Sequence, residues 1–177
     1  MKLLTPAQAR ELDRVSMGDM GISIEKLMGN SGKKVAEEAM EMVSDIHDSS
    51  ILILSGKGNN GGDGFAAATV LFENNYNVIL HSLCKNNEIK GDSLNFYSKC
   101  ESLGIFTTFG ESLPGFKIPD LIIDGLLGTG LKGALRESMI PWVEWINNSK
   151  SMVLSIDISS GLNGNSGRVN PIAVKAN

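Results

Sequence analysis

The chain has 177 residues, a net charge of −4 at pH 7 and a hydrophobic content of 42%. This length is typical of one domain that buries its core without disulfides, and we expect Cys84 and Cys100 to be buried thiols. Acidic and basic residues are mixed without a basic stripe, which excludes a nucleic-acid-binding protein. The apolar stretches are too short to cross a bilayer and the N-terminus lacks the apolar core of a secretory signal, so we expect a cytoplasmic protein without membrane association.

Two helix start signals lie in the first fifty residues. Thr5 followed by Pro6 is typical of an N-cap and a first-turn proline, and predicts a helix over 6–17. Ser23 precedes a long amphipathic pattern that predicts a second helix. The residues on its repeating face are Ile24, Leu27, Met28, Ser31, Val35, Ala39 and Val43.

From residue 51 onward, short apolar runs alternate with helical patterns. The predicted strands are 51–54, 77–83, 105–109, 121–123 and 152–156, and the predicted helices are 64–73, 92–103 and 137–147. The strands are nearly continuous runs of Ile, Leu and Val, as expected when helices cover both faces of a parallel sheet. The sequence therefore predicts one α/β domain with a mostly parallel central sheet.

The first predicted strand leads into a glycine-rich segment, Gly56 to Gly64, with the sequence GKGNNGGDG. Glycines allow positive φ and close approach of the backbone to a ligand, and a strand-to-helix turn directs free N–H groups at an anion. Residues 56–61 match the G-x-G-x-x-G pattern, but no acid follows the strand over 77–83, which disfavours a standard nicotinamide dehydrogenase. The alternative is a tight turn that only links strand and helix.

Two later strands end in the same way, each with an aspartate followed by a glycine turn. Asp124 precedes the segment 125–133, and Asp157 precedes 158–164. Ligands of open parallel sheets bind beyond the carboxyl ends of the strands, so we expect the three loops to form one pocket.

The polar side chains of these loops suggest the chemistry of the pocket. Asn60, Asp124 and Ser160 offer hard oxygen donors, which suit a weakly held monovalent cation better than a transition metal. Alternatively, Asp124 and Ser160 only cap loop backbone. Asp157 is suited to general acid or base catalysis or to binding ligand hydroxyls, and Lys132 to binding a phosphate. The alternative for Asp157 is that it braces loop amides.

Together these segments resemble a known family. The runs GNNGGDG at 58–64, DGLLGTGLKG at 124–133 and DISSG at 157–161 look like the three signatures of the YjeF N-terminal domain family, the NAD(P)H-hydrate epimerases. The run LMGNSG at 27–32 is similar to the family's Leu-Met-Glu-Asn-Ala-Gly. The likeness covers essentially the whole chain.

The resemblance implies a three-layer α/β/α Rossmann-like sandwich and an enzyme that interconverts the R and S forms of hydrated NADH or NADPH. It also implies a dehydratase, fused or separate, that consumes the S form, and a homodimer. The alternative is a non-catalytic nucleotide- or protein-binding module of the same fold, which we disfavour because Asp63, Asp124 and Asp157 are all present.

By the family's pattern, the hydrated dinucleotide contacts two of the loops and Asp157. The implied contact residues are Asn59, Asn60, Gly61, Gly62, Asp63, Gly128, Thr129, Gly130, Leu131, Lys132, Gly133, Ala134 and Asp157. The implied ligands of a potassium ion are Asn60, Asp124 and Ser160. As candidate catalytic residues we take Asp157, for proton transfer, and Asp124, partly occupied by the cation.

The chain departs from the family's pattern at Gly29, Ser31 and Ser159, where the family has Glu, Ala and Pro. These differences put in doubt polar contacts of the second helix and the strength of ion binding. Family members also continue beyond residue 177, so we expect a truncated domain or one cut from a longer chain. The sheet edge near residues 168–177 is then expected to be incomplete or covered by a neighbour.

Overall fold

The computed structural model describes residues 4–113, 115, 117–131 and 133–177. Its helices are α1 (Pro6–Gly18), α2 (Ile24–Met42), α3 (Asn59–Glu73), α4 (Asp92–Ser102) and α5 (Ile140–Asn148). Its strands are β1 (Ser50–Ser55), β2 (Asn77–Ser82), β3 (Phe106–Phe109), β4 (Leu121–Gly125) and β5 (Met152–Ser155). Two 3-10 turns, Asn86–Glu88 and Glu137–Met139, precede α4 and α5. In the described parts of the chain, no helix is long and apolar enough to cross a membrane.

The five strands form one parallel sheet in the order β3-β2-β1-β4-β5. The chain builds outward from β1 through β2 to β3 and then crosses to the other side of β1 to form β4 and β5. The connections that leave β1 and β4 therefore diverge, and this reversal of strand order opens a crevice at the carboxyl ends of these two strands. The predicted parallel α/β sandwich is confirmed.

Both faces of the sheet are covered, as the continuous apolar strands predict. Ile51 and Ile53 of β1 lie in a buried cluster with residues of α2, α3 and α4. Leu52 and Leu54 face the opposite way and pack in a second cluster with Trp142 of α5. The alternate side chains of one strand thus enter two separate cores, which gives the three layers.

The two N-terminal start signals operate as predicted. The Oγ1 atom of Thr5 accepts a hydrogen bond from the Gln8 N–H at 3.3 Å, and the Gln8 side chain accepts one from the Thr5 N–H at 2.9 Å. The Oγ atom of Ser23 accepts one from the Lys26 N–H at 3.1 Å. These side chains satisfy N–H groups that have no partner within the helix.

The glycine-rich segment differs from the prediction. Helix α3 begins at Asn59, five residues before the expected start, and none of the five glycines in 56–64 has a positive φ. Four of them, Gly56, Gly61, Gly62 and Gly64, are closely packed, whereas an added Cβ on Gly58 has nothing within 4 Å. A Cβ atom on Gly61 would overlap the carbonyl of Gly56, and one on Gly62 would lie 2.6 Å from the Met28 sulfur. Glycine at these positions allows α3 to approach its neighbours closely.

Smaller differences occur at other element ends. The predicted helix over 137–147 is a 3-10 turn followed by α5, which has Pro141 in its first turn. The predicted strand ends differ from the observed ones by at most two residues, which is the usual uncertainty of element boundaries.

Helices α2 and α3 cross closely at Gly32. A Cβ atom at this position would overlap the Cβ of Ala66 and lie 2.7 Å from the backbone nitrogen of Ala67. The backbone of α3 cannot move aside as a flexible side chain can. The close crossing of α2 and α3 therefore requires a residue without a side chain at position 32. This contact holds α2 against the middle of α3.

We therefore expect Gly32→Ala to destabilise the protein by about 1–3 kcal/mol through overpacking. The matched control is Gly18→Ala at the end of α1, where an added Cβ has nothing within 4 Å. Urea denaturation of both variants measures the difference. Equal stability of the two variants would contradict the close crossing.

Candidate active site

The loops that follow β1, β4 and β5 meet at the carboxyl edge of the sheet. The side-chain amide nitrogen of Asn60 donates to the Leu127 carbonyl at 3.0 Å, which joins the first two loops. A Cβ atom on Gly128 would lie 3.0 Å from Oδ2 of Asp157 and 3.3 Å from Cβ of Asn60. The three loops therefore meet at one edge of the sheet, with Gly128 at the point where they come together.

Asp124 forms the buried centre of this arrangement. Its side chain has no exposed surface and accepts hydrogen bonds from Ser160 Oγ at 2.6 Å and from the Ser160 N–H at 2.9 Å. Ser155 Oγ donates at 3.0 Å and the Leu126 N–H at 3.3 Å. Burial raises the pKa of Asp124, and these hydrogen bonds counteract the rise by stabilising the carboxylate.

Ser160 links this carboxylate to the loop after β4. Its Oγ atom accepts a hydrogen bond from the Leu127 N–H at 2.9 Å while lying 2.6 Å from Asp124. Asp124 and Ser160 therefore hold loop backbone, as the alternative interpretation of these residues expected. The same contacts bring Asn60, Asp124 and Ser160 together through Leu127.

The atoms of Asn60, Asp124 and Ser160 that are suited to binding a cation are an amide oxygen, a carboxylate oxygen and a hydroxyl oxygen. Within the described ranges, no group of three or more His, Cys, Asp or Glu residues is placed to bind a metal ion. A set with one carboxylate and two neutral oxygens fits a monovalent hard cation.

Asp157 lies at the exposed mouth of the site. Its φ of 61° is in the left-handed region, which is uncommon outside glycine and enriched at functional positions. Its Oδ2 atom accepts a hydrogen bond from the Thr129 N–H at 3.0 Å. The loop after β4 thus fixes one oxygen of this carboxylate.

Asp63 is the third aspartate, and it projects from α3. Burial raises its pKa to about 7, and the nearby charges of Asp157 and Asp13 contribute in the same direction. A hydrogen bond from Ser31 of α2 has the opposite effect. Sequence reasoning placed Asp63 only among the substrate contacts, because its neighbours come from elements remote in the chain.

The other predicted contact residues are divided between the surface and the interior. Asn59, Gly130, Gly133 and Ala134 are exposed, and Thr129 and Leu131 are half-buried. Gly61 and Gly62 are buried in packing contacts, so direct binding by them stays a prediction. Lys132 lies outside the described residues.

A basic cleft adjoins the site on the β2 side. Its volume is about 440 Å³, and Lys57, Asn87, Glu88 and Lys90 line it. The Lys57 ammonium lies 3.7 Å from the Glu88 carboxylate. The lysines that line this cleft are Lys57 and Lys90.

The three positions that depart from the family's pattern, Gly29, Ser31 and Ser159, have different neighbours in the structure. Gly29 faces α4, because a Cβ atom there would lie 3.4 Å from Cζ of Phe96. Ser31 supplies the hydrogen bond to Asp63. Ser159 uses its carbonyl to accept the Leu162 N–H at 3.0 Å. Of the three positions, Ser31 is the one that lowers the pKa of an aspartate of the site.

We expect Ser160→Ala to destabilise the fold by about 1–3 kcal/mol, because the half-buried Leu127 N–H and the buried Asp124 each lose a hydrogen-bond partner. Ser159→Ala is the matched control, since its recorded contact is made by backbone. Chemical denaturation measures both. A Ser160→Ala variant as stable as the control would show that this cluster does not hold the loops.

Comparisons with known proteins identify relatives of this chain. Residues 24–177 match the family model for the YjeF-related protein N-terminus. An NAD(P)H-hydrate epimerase of Rhodopirellula baltica is 34% identical over 98% of this chain and 71% of the relative. One of Elusimicrobium minutum is 29% identical over 99% of this chain and 83% of the relative.

Longer relatives and a solved structure extend the comparison. A bifunctional NAD(P)H-hydrate repair enzyme of Coxiella burnetii is 34% identical, and the match covers 96% of this chain but 34% of that enzyme. The crystal structure of yeast YNL200c superposes with a TM-score of 0.88 at 20% identity, over 99% of this chain and 78% of the yeast chain. This structural likeness shows a shared fold. With its three signatures joined at one sheet edge and its sequence matched from residue 24 to residue 177, the chain belongs to the YjeF-related N-terminus family.

Proposed function

We propose that this protein is an NAD(P)H-hydrate epimerase, which interconverts the R and S forms of hydrated NADH or NADPH. The observation that carries this proposal is the meeting of Asn60, Gly128 and Asp157 at the strand-order reversal. Relatives that match nearly the whole chain at up to 34% identity carry the epimerase name. Parallel α/β sheets bind their ligands at such a reversal.

The reaction inverts the ring carbon that carries the added hydroxyl. Inversion requires proton transfer and stabilisation of the charge that develops on the ring, and carboxylates supply both. Asp157 is the exposed carboxylate of the site, and its orientation is fixed by the Thr129 N–H. We assign it to proton transfer, and we assign Asp124 to holding the loops and the cation, because its side chain is fully buried.

Potassium is the cation that we propose for Asn60, Asp124 and Ser160. These residues offer three oxygen donors with a single negative charge, a set that fits a hard monovalent ion. When bound, the ion supplies positive charge that offsets the Asp124 carboxylate and any negative charge on the substrate. Among the chain's own residues, Asn60 and Ser160 connect that position to the loop after β4.

The companion reaction and the assembly are also part of the proposal. The relative named as a bifunctional repair enzyme is about three times as long as the matched region, and a fused or separate dehydratase would consume the S form. The homodimer, the cytoplasmic location and the continuation of the natural chain stay predictions.

The direct test supplies the R-hydrate with an excess of a separate S-specific dehydratase and follows the return of reduced-cofactor absorbance. We expect the protein to accelerate this return above the spontaneous rate, because it converts R-hydrate into S-hydrate. Dehydratase alone is the control. A protein that adds nothing to the spontaneous rate favours the non-catalytic binding module.

Potassium binding has its own test in thermal unfolding. A cation held weakly and only by the folded state raises the melting temperature by about 3 °C when present at roughly ten times its dissociation constant. We expect this rise in potassium chloride relative to choline chloride at equal ionic strength, and its loss in Ser160→Ala. The same rise in the Ser160→Ala variant would place the ion elsewhere.

A further inference from the structure

The basic cleft beside the active site has a charge and a position that suit a phosphate at the far end of the substrate. We propose that Lys57 and Lys90 bind the 2′-phosphate of NADPH hydrate, and that the enzyme therefore prefers NADPH hydrate to NADH hydrate. This inference rests on the proposed epimerase function and defines its substrate more closely. It gives a role in specificity to two lysines that lie outside the three signature runs.

The walls of the cleft are the loops that follow β1 and β2. Lys57 lies in the first of these loops, and Asn87, Glu88 and Lys90 lie in the second. The volume of the cleft is about 440 Å³, which is within the range of about 300–1,000 Å³ that is usual for ligand pockets. All four lining residues are exposed. The cleft is therefore open to solvent and large enough for a ribose with its phosphate.

The wall after β2 is fixed by buried contacts. The Leu83 N–H donates to the Ser55 carbonyl at 3.1 Å, which joins the end of β2 to the end of β1. Ile89 is buried in the core that α2, α3 and α4 share, and it lies between Glu88 and Lys90 in the sequence. The side chains of Glu88 and Lys90 therefore project from a backbone that is held in place.

The wall after β1 borders both the cleft and the active site. The Gly56 N–H donates to the Gly125 carbonyl at 3.1 Å, and a Cβ atom on Gly56 would overlap the carbonyl of Leu126. Lys57 is the next residue, and Asn60, whose side chain contacts the loop after β4, follows three positions later. One short segment thus connects the active site with the cleft.

The cleft and Asp157 are far enough apart for the two ends of an extended dinucleotide. Asp157 follows β5, whereas the cleft lies between the ends of β1 and β2, two to three strands away in the sheet. Since neighbouring strands are about 4.8 Å apart, the separation is roughly 10–14 Å. The reacting ring and the adenosine are the two ends of the substrate, and the pyrophosphate lies between them. With the ring beside Asp157, the adenosine end reaches the cleft.

The loop after the second strand is where dinucleotide folds recognise the 2′ position of the adenosine ribose. An acidic residue there binds the 2′-hydroxyl of NAD, whereas a nearby arginine accommodates the 2′-phosphate of NADP, and lysine is also a common phosphate ligand. In this chain β2 is followed by the buried residues Leu83 and Cys84, and then by Lys85 and Lys90. The basic character of this loop favours the phosphorylated form.

Glu88 is the acidic residue among those that line the cleft, and contacts within the chain engage both of its oxygens. Its Oε2 atom accepts the Lys85 N–H at 2.9 Å, and its Oε1 atom lies 3.7 Å from the Lys57 ammonium. These contacts compete with a hydrogen bond from a ribose hydroxyl. Glu88 therefore braces the loop and positions Lys57, and the two lysines leave the cleft with a net positive charge.

Equilibrium binding tests the cleft without turnover. The probes are adenosine 2′,5′-bisphosphate, which has the 2′-phosphate, and adenosine 5′-monophosphate, which lacks it, and isothermal titration calorimetry measures both. We expect the bisphosphate to bind the wild type at least about tenfold more tightly, as one hydrogen bond to a charged group provides. Equal affinities for the two probes would overturn the proposal.

Neutral variants assign this preference to the cleft. We expect Lys57→Gln and Lys90→Gln each to weaken bisphosphate binding by about tenfold and to leave monophosphate binding unchanged. Glu88→Gln keeps an acceptor for the Lys85 N–H and removes a negative charge, so it strengthens bisphosphate binding. Lys150→Gln is the matched control, because Lys150 is exposed before β5, at the opposite edge of the sheet. Equal weakening for both probes would place the lysines on a shared phosphate and refute the assignment.

Steady-state kinetics connect the cleft to the reaction. With the R forms of the two hydrates as substrates, we expect Lys90→Gln to raise KM for NADPH hydrate by about tenfold. Its kcat stays the same, because the 2′-phosphate is remote from the reacting carbon and contributes equally to binding before and during the reaction. NADH hydrate has the same pyrophosphate but no 2′-phosphate, so its KM stays unchanged. An equal rise in both KM values would assign Lys90 to the pyrophosphate and contradict the proposal.

The binding and kinetic results separate this proposal from the epimerase function. A wild type that binds the bisphosphate preferentially but does not accelerate epimerisation would overturn the function and support the 2′-phosphate site. An active wild type with equal kcat/KM for the two hydrates would overturn the role of the cleft alone.

Discussion

The hydrogen-bond cluster of the buried Asp124 carboxylate is the constraint on which the site depends. It joins the end of β4 to the loop after β5 through Ser160, and Ser160 also holds the backbone of Leu127. Asn60 then connects the first turn of α3 to the same Leu127 carbonyl. A buried carboxyl group that accepts four hydrogen bonds has few stable arrangements, so the cluster sets the relative positions of three loops that are far apart in sequence.

The glycines of the segment 56–64 contribute to this arrangement of loops because they have no side chains. Because Gly61 and Gly62 lack side chains, α3 can begin in contact with the Gly56 backbone and Met28. The side chains of Asn60 and Asp63 therefore project from the first turns of α3 beside the other loops. Gly128 has the same role in the loop after β4, because a Cβ atom there would come too close to Asp157 and Asn60. Close packing of backbone therefore places the polar groups of the site.

The three aspartates have three different environments. Asp124 is fully buried and saturated with hydrogen bonds, Asp157 is exposed and held by one backbone N–H, and Asp63 is half-buried beside negative charge. Residues of one chemical type are thereby divided among three kinds of solvation and hydrogen bonding. The neighbours of each residue, more than its identity, determine this division.

The sequence by itself determined the parallel sheet, the helix start signals at Thr5 and Ser23, and the three strand-end loops, because apolar periodicity and capping are local properties. It also placed Asp124, Asp157 and Ser160 in loops at one edge of the sheet. Only the tertiary structure decided that α3 begins at Asn59 and that Asp63 meets Ser31. Helix crossings and burial depend on contacts between remote segments, and no local pattern encodes the solvation of a particular carboxyl group.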